Sequence, residues 1–571
     1  MLLTIICNDK PPITFQASLG QSLLEALEKS GAPLDAPCGG QGLCGKCRVE
    51  VEGSCSERLE SEKKFSLPPG TRLACQTTIT GPLTARYYIK SGFKSIKSLE
   101  LNLPPNTSPS LKYIDAPILD RYEQRPLIEV LSLKADSLSA LIATAEVQAT
   151  GAPAKALVWQ DRLLNVWPKE KAPKEILGLA FDLGTTGLAL AVIDLNSGRL
   201  KSTQSSLNPQ AATGADVISR ITYASISKEN LKVIQELAIK GFRELLEISL
   251  PMESRKQVGA VTVSGNTTML HLLAGLNPAS LAQAPYRPIF LNSIDISQLN
   301  EAMGLNPWAK VLTLPSMSSF VGGDIASGLL ATDLEKRPGA TLFIDIGTNG
   351  EIVLSRQGQL VATSCAAGPA LEGMNITCGL RAVTGAVDSF RLRENMEGEF
   401  TTIGGGTALG LCGSGLLDLV SELVKGSIIN PSGRLINPSA NPPNRYYLTP
   451  EVYLSQKDVR QVQLCKGAVA AAVELLLKKM NLEAKELDEV VVAGSFGYHL
   501  KPESLKGVGL IPLDYQGPVT FVGNSSLAGA ARALLDSTTF EQLERVARKT
   551  QVIELSFDSD FQDAFVRHLN F

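Results

Sequence analysis

The sequence predicts a multidomain chain: a small α+β unit first, then a linker, a small middle α/β module, and a large α/β unit made of two related halves. Three observations predict it. Six of the ten cysteines fall within the first 75 residues, which singles out that end for metal chemistry. A stretch from about Ser91 to Gln124, rich in Ser, Pro, Asn and Lys, has no periodic apolar face for packing. The run FDLGTTG at 181–187 returns as IDIGTNG at 344–350. A length of 571 residues, at about 150 per domain, accommodates three or four domains. A content of 44% hydrophobic and 19% charged residues marks a packed globular chain. Fifty-four basic against 57 acidic residues give a net charge of -3, which excludes nucleic acid as a general partner. No apolar run reaches the roughly 18 residues of a membrane span, so no membrane partner is expected. The start, MLLTIICNDK, has neither a basic n-region nor the apolar length of a signal peptide. A cytoplasmic location is expected, where cysteines stay reduced.

The elements of residues 1–90 follow in order. LLTIIC and ITFQAS alternate as strands around the turn NDKPP, and QSLLEALEKSG is a short helix ended by Gly31. A cysteine-rich loop follows, then strands in RVEVEG and TRLACQTTIT. This order is that of a β-grasp unit. Within the loop, APCGGQGLCGKC carries Cys38, Cys44 and Cys47, and Cys75 lies in RLACQ, giving C-x5-C-x2-C-x27-C. Soft thiolates suit iron–sulfur chemistry, and three of them on one loop can wrap an iron pair. Gly39, Gly40, Gly42 and Gly45 ease the tight path and free amide N–H groups to point at sulfur. A structural zinc site would need a second C-x2-C knuckle, and only one is present. Over these 90 or so residues the sequence resembles the [2Fe-2S] ferredoxins, with the x5 gap of the adrenodoxin-like branch. The resemblance implies one [2Fe-2S] cluster held by Cys38, Cys44, Cys47 and Cys75. Cys7 and Cys55 fall outside the pattern, as a core residue and a loop residue.

After the linker at 91–124, residues 125–175 form the middle module. LIEVLSL is expected as a strand, SLSALIATAEVQA as a helix, and AKALVWQ with DRLLNVWP as further strands, closed by PKEKAPKE.

Residues 176–571 form one large unit. Asp182 and Asp345 each end an apolar strand and precede a Gly-Thr turn. Gly184 and Gly347 allow the tight hairpin; Thr185, Thr186, Thr348 and Asn349 offer groups that grip phosphate oxygens. The two carboxylates can hold a hydrated Mg²⁺, which takes few protein ligands. One such turn is common, whereas two in matching strand contexts are a specific signal. FVGGDIASGLLA enters a helix through Gly322 and Gly323; VVVAGSFG and FVGNSSLAGAA are strand–loop segments. LGLCGSGLLDLV puts Gly413, Ser414 and Gly415 at a helix start, where N–H groups favour anions. Together these motifs resemble the ASKHA superfamily (acetate and sugar kinases, Hsc70, actin). The resemblance implies two ribonuclease-H-like halves closing over Mg-ATP, with Gly494, Ser495 and Phe496 as the adenosine segment, although AGSFG departs from the commoner Gly-Gly form. His271, in GNTTMLHLLAG, is expected as a satisfied core histidine, with Asn266, Thr267 and Thr268 capping its helix.

A ferredoxin joined to an ATPase narrows the function, since ATP is useful when the electron acceptor is harder to reduce than the donor. The order of parts, with GNTTMLHLLAGLNP, NPQAATGADVISRI, PALEGMNITCG and GLCGSGLLDLV, resembles the reductive activators of corrinoid proteins over nearly the whole chain. The resemblance implies an enzyme that reduces an inactive Co(II) corrinoid to Co(I), a corrinoid-protein partner, an external low-potential electron donor, and a possible homodimer. Two alternatives stay open. An activator of a 2-hydroxyacyl-CoA dehydratase-like enzyme would need a second cluster, for which Cys365 and Cys378 are available. A small-molecule kinase with a redox-sensing ferredoxin would form one phosphorylated product per ATP.

Overall fold

The structure is a computed structural model that describes residues 1–7, 11–30, 34, 40, 42, 45, 47–65, 67–87, 109–120, 122–436, 444–494 and 500–571. Two compact units are present, one of residues 1–94 with 209–223, the other of 95–208 with 224–571.

In the first unit a five-stranded sheet has the order Ile13–Gln16, Leu2–Cys7, Ile79–Tyr87, Arg48–Cys55, Thr71–Leu73. The first and last strands of this unit, Leu2–Cys7 and Ile79–Tyr87, lie side by side and parallel, and the other pairs are antiparallel, the β-grasp arrangement. Helix Leu23–Lys29 buries Leu23, Ala26 and Leu27, the i, i+3, i+4 face, against Leu3, Ile5 and Ile79. Each buried leucine contributes roughly 2 kcal/mol. TRLACQTTIT is not one strand: a 3-10 turn at Ala74–Gln76 interrupts it and carries Cys75 out of the sheet. Cys55 ends a strand, opposite Ile79, where a loop residue was expected.

In the second unit, the stretch expected as linker departs from that reading. Leu111–Ala116 is a strand paired with Ala154–Trp159, in a sheet completed by Arg162–Pro168 and Lys134–Ala135. SLKYIDA alternates and carries β-formers, but the Pro/Asn/Ser run before it masks the signal. Residues 88–108 lie outside the described part. LIEVLSL also differs: Pro126 starts a helical turn at Leu127–Val130, because its fixed φ suits a first turn. Helix Leu138–Thr150, capped by Ser137 and stopped by Gly151 at φ +60, covers this small sheet. The module joins the rest of its unit through Tyr113, Trp167 and Trp308 and through Lys310, 2.8 Å from Asp136 and 2.6 Å from Asp295.

The internal echo is topological. In the first half, Leu177–Leu183, Gly187–Asp194 and Arg199–Leu207 form an antiparallel meander, with Val258–Gly265 and Lys310–Thr313 added parallel on the other side. In the second, Ala340–Ile346, Gly350–Arg356 and Gln359–Cys365 repeat the meander, with Glu489–Ala493 and Val519–Gly523 added parallel. These are two ribonuclease-H-like halves. Helices Gly323–Ala331 and Ser525–Leu535 cross between them, where Gly328 and Gly529 permit an approach that a Cβ on either would block. No helix among the described residues is long and apolar enough to cross a membrane.

Candidate functional site

Of the four cluster cysteines, Cys38 and Cys44 lie outside the described residues. Cys47 and Cys75 come together: their Sγ atoms are 3.3 Å apart, with Cys47 buried. That separation suits two thiolates on one iron and is too long for a disulfide. Gly40, Gly42 and Gly45 take φ of +83°, +71° and +64°, the left-handed path expected of a cluster loop; Gly39 is outside the described part. Gln76 Nε2 donates to Cys75 Sγ at 3.5 Å and to Gly40 O at 3.0 Å. Cys75 is anchored from below. Arg72 and Glu62 form a buried bidentate pair at 2.7 and 2.9 Å, and Leu73 N–H donates to Glu62 at 3.0 Å. The donor set fits a [2Fe-2S] cluster.

The two Asp-x-Gly-Thr loops come together. Asp182 closes its strand, and its oxygens accept from Asn524 Nδ2 and Ser526 Oγ, both at 2.7 Å. Gly184 is obligatory, since a Cβ there would meet Gly187 O at 2.6 Å. Thr185 Oγ1 accepts from Asn266 Nδ2 at 2.9 Å, so Asn266 does more than cap its helix. Thr186 Oγ1 and Thr348 Oγ1 lie 3.1 Å apart, joining the loops of the two halves. Gly347 N–H closes its own turn onto Asn349 O at 2.9 Å.

Electrostatics concentrate here. Burial, reinforced by the charges of Asp324 and Asp182, pushes Asp345 up to about 7. Burial and then the Asp182 charge raise Asp324 to about 7. Burial raises Asp182 despite its two hydrogen bonds. Glu351, opposite Asp345 in register, is raised by burial and then by Asp324 and Asp345. The four acids act on one another through their charges as well as through burial. No three Asp, Glu, His or Cys side chains among the described residues converge on one metal position. The arrangement fits a magnesium ion that keeps most of its waters.

Asp324, Glu351, Asn524, Ser526 and Asn266 were not expected at the site. Three lie in motifs that the sequence marked, FVGGDIASG and FVGNSS, but their convergence on Asp182 is tertiary. Gly494 takes φ +120, and a Cβ there would meet Ile346 O at 2.8 Å. Ser495 and Phe496 lie outside the described residues. Gly413, Ser414 and Gly415 do start helix Gly413–Lys425, but all three are buried, and a Cβ at either glycine would strike the carbonyl of Leu371 or Val387. Backbone packing by itself requires glycine at both positions. His271 is a satisfied core residue: fully buried, Nδ1 2.7 Å from Thr267 O, Nε2 accepting from Ile289 N–H at 3.0 Å, stacked on Phe290. Cys365 is buried with its thiol pushed up by burial, and Cys378 is half-buried.

Comparisons with known proteins agree with this anatomy. Residues 6–80 match the 2Fe-2S iron-sulfur cluster binding domain, 177–337 the RACo middle region, and 339–571 the C-terminal domain of RACo, the ASKHA domain. The chain is 30% identical over 570 residues to the corrinoid activation enzyme RamQ of Eubacterium limosum, covering 95% of this chain and 94% of that one. It is 24% identical over 403 residues to the [Co(II) methylated amine-specific corrinoid protein] reductase of Methanosarcina barkeri, covering 65% and 72%. The solved structure of a reductive activator for corrinoid, iron-sulfur protein superposes with a TM-score of 0.74 at 29% identity, over 100% of this chain and 98% of that one.

Proposed function

The chain belongs to the reductive activators of corrinoid proteins, and on that premise we propose that it passes an electron from its [2Fe-2S] centre to the cobalt of a corrinoid protein, coupled to Mg-ATP binding and hydrolysis. The observation that carries this reading is similarity to a corrinoid activation enzyme across 95% of the chain, cluster domain and ATPase-like halves included. It is an enzyme: its corrinoid substrate enters as Co(II) and leaves as Co(I), one electron richer.

Cys38, Cys44, Cys47 and Cys75 hold the cluster, which when bound supplies one electron at a time. An external low-potential donor refills it. Asp182 and Asp345 hold a hydrated Mg²⁺; Gly184, Thr185, Thr186, Gly347, Thr348 and Asn349 wrap the phosphates; Gly494, Ser495 and Phe496 border the adenosine. ATP binds both loops at once, so it favours the conformation in which the halves are closed, by as much as its affinities for the two conformations differ. The corrinoid protein docked on the closed form takes up the electron, and hydrolysis reopens the cleft. In this division, residues 1–90 are the ferredoxin domain, the segment after them a tether that ends before Leu111, the residues to 175 the small module, and 176–571 the ATPase. One chain carries both sites, so a homodimer would double them without completing them. We place the reaction in the cytoplasm, where the thiols stay reduced.

The test is anaerobic. With a strong chemical reductant, Mg-ATP and a Co(II) corrinoid protein, the absorbance change to Co(I) should require both the chain and ATP. Reduction of equal rate and extent without ATP overturns the coupling, and a phosphorylated small molecule as product would turn the reading toward a kinase.

A further inference from the structure

One carboxylate at the loop tips has no part in the scheme above. Glu372 ends the turn Pro369–Glu372, which follows the meander strand Gln359–Cys365. Its Oε1 accepts the Thr348 hydroxyl at 2.7 Å, and that hydroxyl lies 3.1 Å from Thr186 Oγ1. One side chain therefore terminates a hydroxyl chain that touches both Asp-x-Gly-Thr loops. Its other oxygen, Oε2, is shielded from solvent and has no hydrogen-bond partner among the described residues. A shielded carboxylate oxygen is costly to leave unpaired, and a ligand that completes it repays that cost.

Three ligands come to a phosphate site: phosphate oxygen, cation and water. Phosphate is anionic and repels the carboxylate. In the scheme above the cation is held by Asp182 and Asp345, whereas Glu372 is tied to the Thr348 hydroxyl. Water remains, since it can donate one hydrogen to Oε2 while keeping a lone pair for phosphorus. We propose that Glu372 orients the attacking water for ATP hydrolysis in this chain and accepts its proton, the Thr348 hydroxyl fixing the carboxylate between the two loops. This deepens the proposed function and rests on its placement of Mg-ATP at those loops. The water oxygen bonds to the γ-phosphorus as the bond from that phosphorus to the β,γ-bridging oxygen breaks, and the electron pair leaves with ADP. The proton passes to Glu372 Oε2 and then to the phosphate product or solvent, so that ATP and water become ADP and inorganic phosphate.

Glu372→Gln keeps the volume and an oxygen for the Thr348 hydroxyl, yet its amide does not take up the proton. The full chain and the E372Q chain are compared for release of labelled phosphate from Mg-ATP and for binding of a fluorescent ATP analogue. The expected result is a kcat lower by roughly 100-fold or more, with KM and the analogue's Kd changed by less than about threefold. The Mg²⁺ concentration for half-maximal turnover should stay where it is. Turnover by E372Q close to that of the unsubstituted chain overturns the role. A loss reversed by added Mg²⁺ overturns it too, in favour of a cation ligand. Parallel loss of analogue binding overturns it in favour of a residue that only shapes the loop. If the unsubstituted chain neither binds nor hydrolyses ATP, the nucleotide reading itself falls and this proposal with it; if that chain is active and E372Q is equally so, only the role of Glu372 falls.

Discussion

Gln76 has two amide hydrogens for three acceptors, Gly40 O at 3.0 Å, Cys75 O at 3.3 Å and Cys75 Sγ at 3.5 Å, while Ser61 Oγ donates to its Oε1 at 2.6 Å. Gly42 leaves room for it, since a Cβ there would meet Gln76 Cδ at 2.7 Å. An N–H directed at a cluster thiolate stabilises the reduced form, which carries one more negative charge, and so raises the reduction potential. Gln76→Leu should therefore move the potential to a more negative value and loosen the loop that it pins. A redox titration followed by the rhombic signal of the reduced cluster measures this; an unchanged or more positive potential would refute it. The sequence marks the ligands of this site because they are chemically unmistakable, four thiols among four glycines. It does not mark Gln76, Asp324 or Glu372, whose meaning lies in what they face. An Asp in the first turn of a helix is ordinary until burial, and then the charge of Asp182, push it up to about 7.

At the scale of elements, the pair Arg72–Glu62 ties the short helix Glu60–Lys63 to strand Thr71–Leu73, just ahead of Cys75. Burial alone would raise the Glu62 carboxyl. Hydrogen bonds from Arg72 and from the N–H groups of Leu73 and Leu59, with the Arg72 charge, outweigh that and hold it below its ordinary 4.5. A carboxyl lowered by folding adds stability that is complete above its unfolded value and is lost as pH falls through the folded one. Thermal unfolding of the first unit, read from its cluster absorbance, should therefore keep its Tm down to about pH 5 on this group's account and drop below that. Glu62→Gln should flatten that acid limb and cost about 3 kcal/mol at neutral pH, because Arg72 is left buried without its partner. An E62Q protein with unchanged Tm and acid limb would sink the claim. Elements were legible where the apolar period was plain, as in helix Leu23–Lys29 and the strands that carry Asp182 and Asp345. They were not where neighbours mislead: Leu111–Ala116 follows a run of turn formers, and its pairing partner Ala154–Trp159 is supplied only by the tertiary fold. LIEVLSL has β-formers, yet Pro126 sets the chain into a helical turn first.

For the whole molecule, the question is why both sites share a chain. The halves of the ATPase-like unit are joined at the site itself. Asn524 and Ser526, which hold Asp182 of the first half, are the N-cap and a first-turn residue of the crossing helix Ser525–Leu535, which follows strand Val519–Gly523 of the second half. Whatever binds both loops thus acts on the relation between halves, and the tether proposed above would keep the electron source at a high effective concentration near a docked partner. Two full-length variants separate these roles. Cys75→Ser should lose the cluster and Co(I) formation while keeping ATP hydrolysis; Asp345→Asn should keep the cluster signal and lose ATP-dependent turnover. Mixed in equal amounts, the two chains should recover only a small fraction of the activity of one intact chain, rising with protein concentration as an intermolecular step does. Full recovery at low concentration would mean that the ferredoxin of one chain serves the cleft of another as readily as its own, and the tether would then carry no kinetic advantage. ATP hydrolysis that disappears together with the cluster in the Cys75→Ser chain would mean something different again, that the cleft turns over only when the first unit is intact.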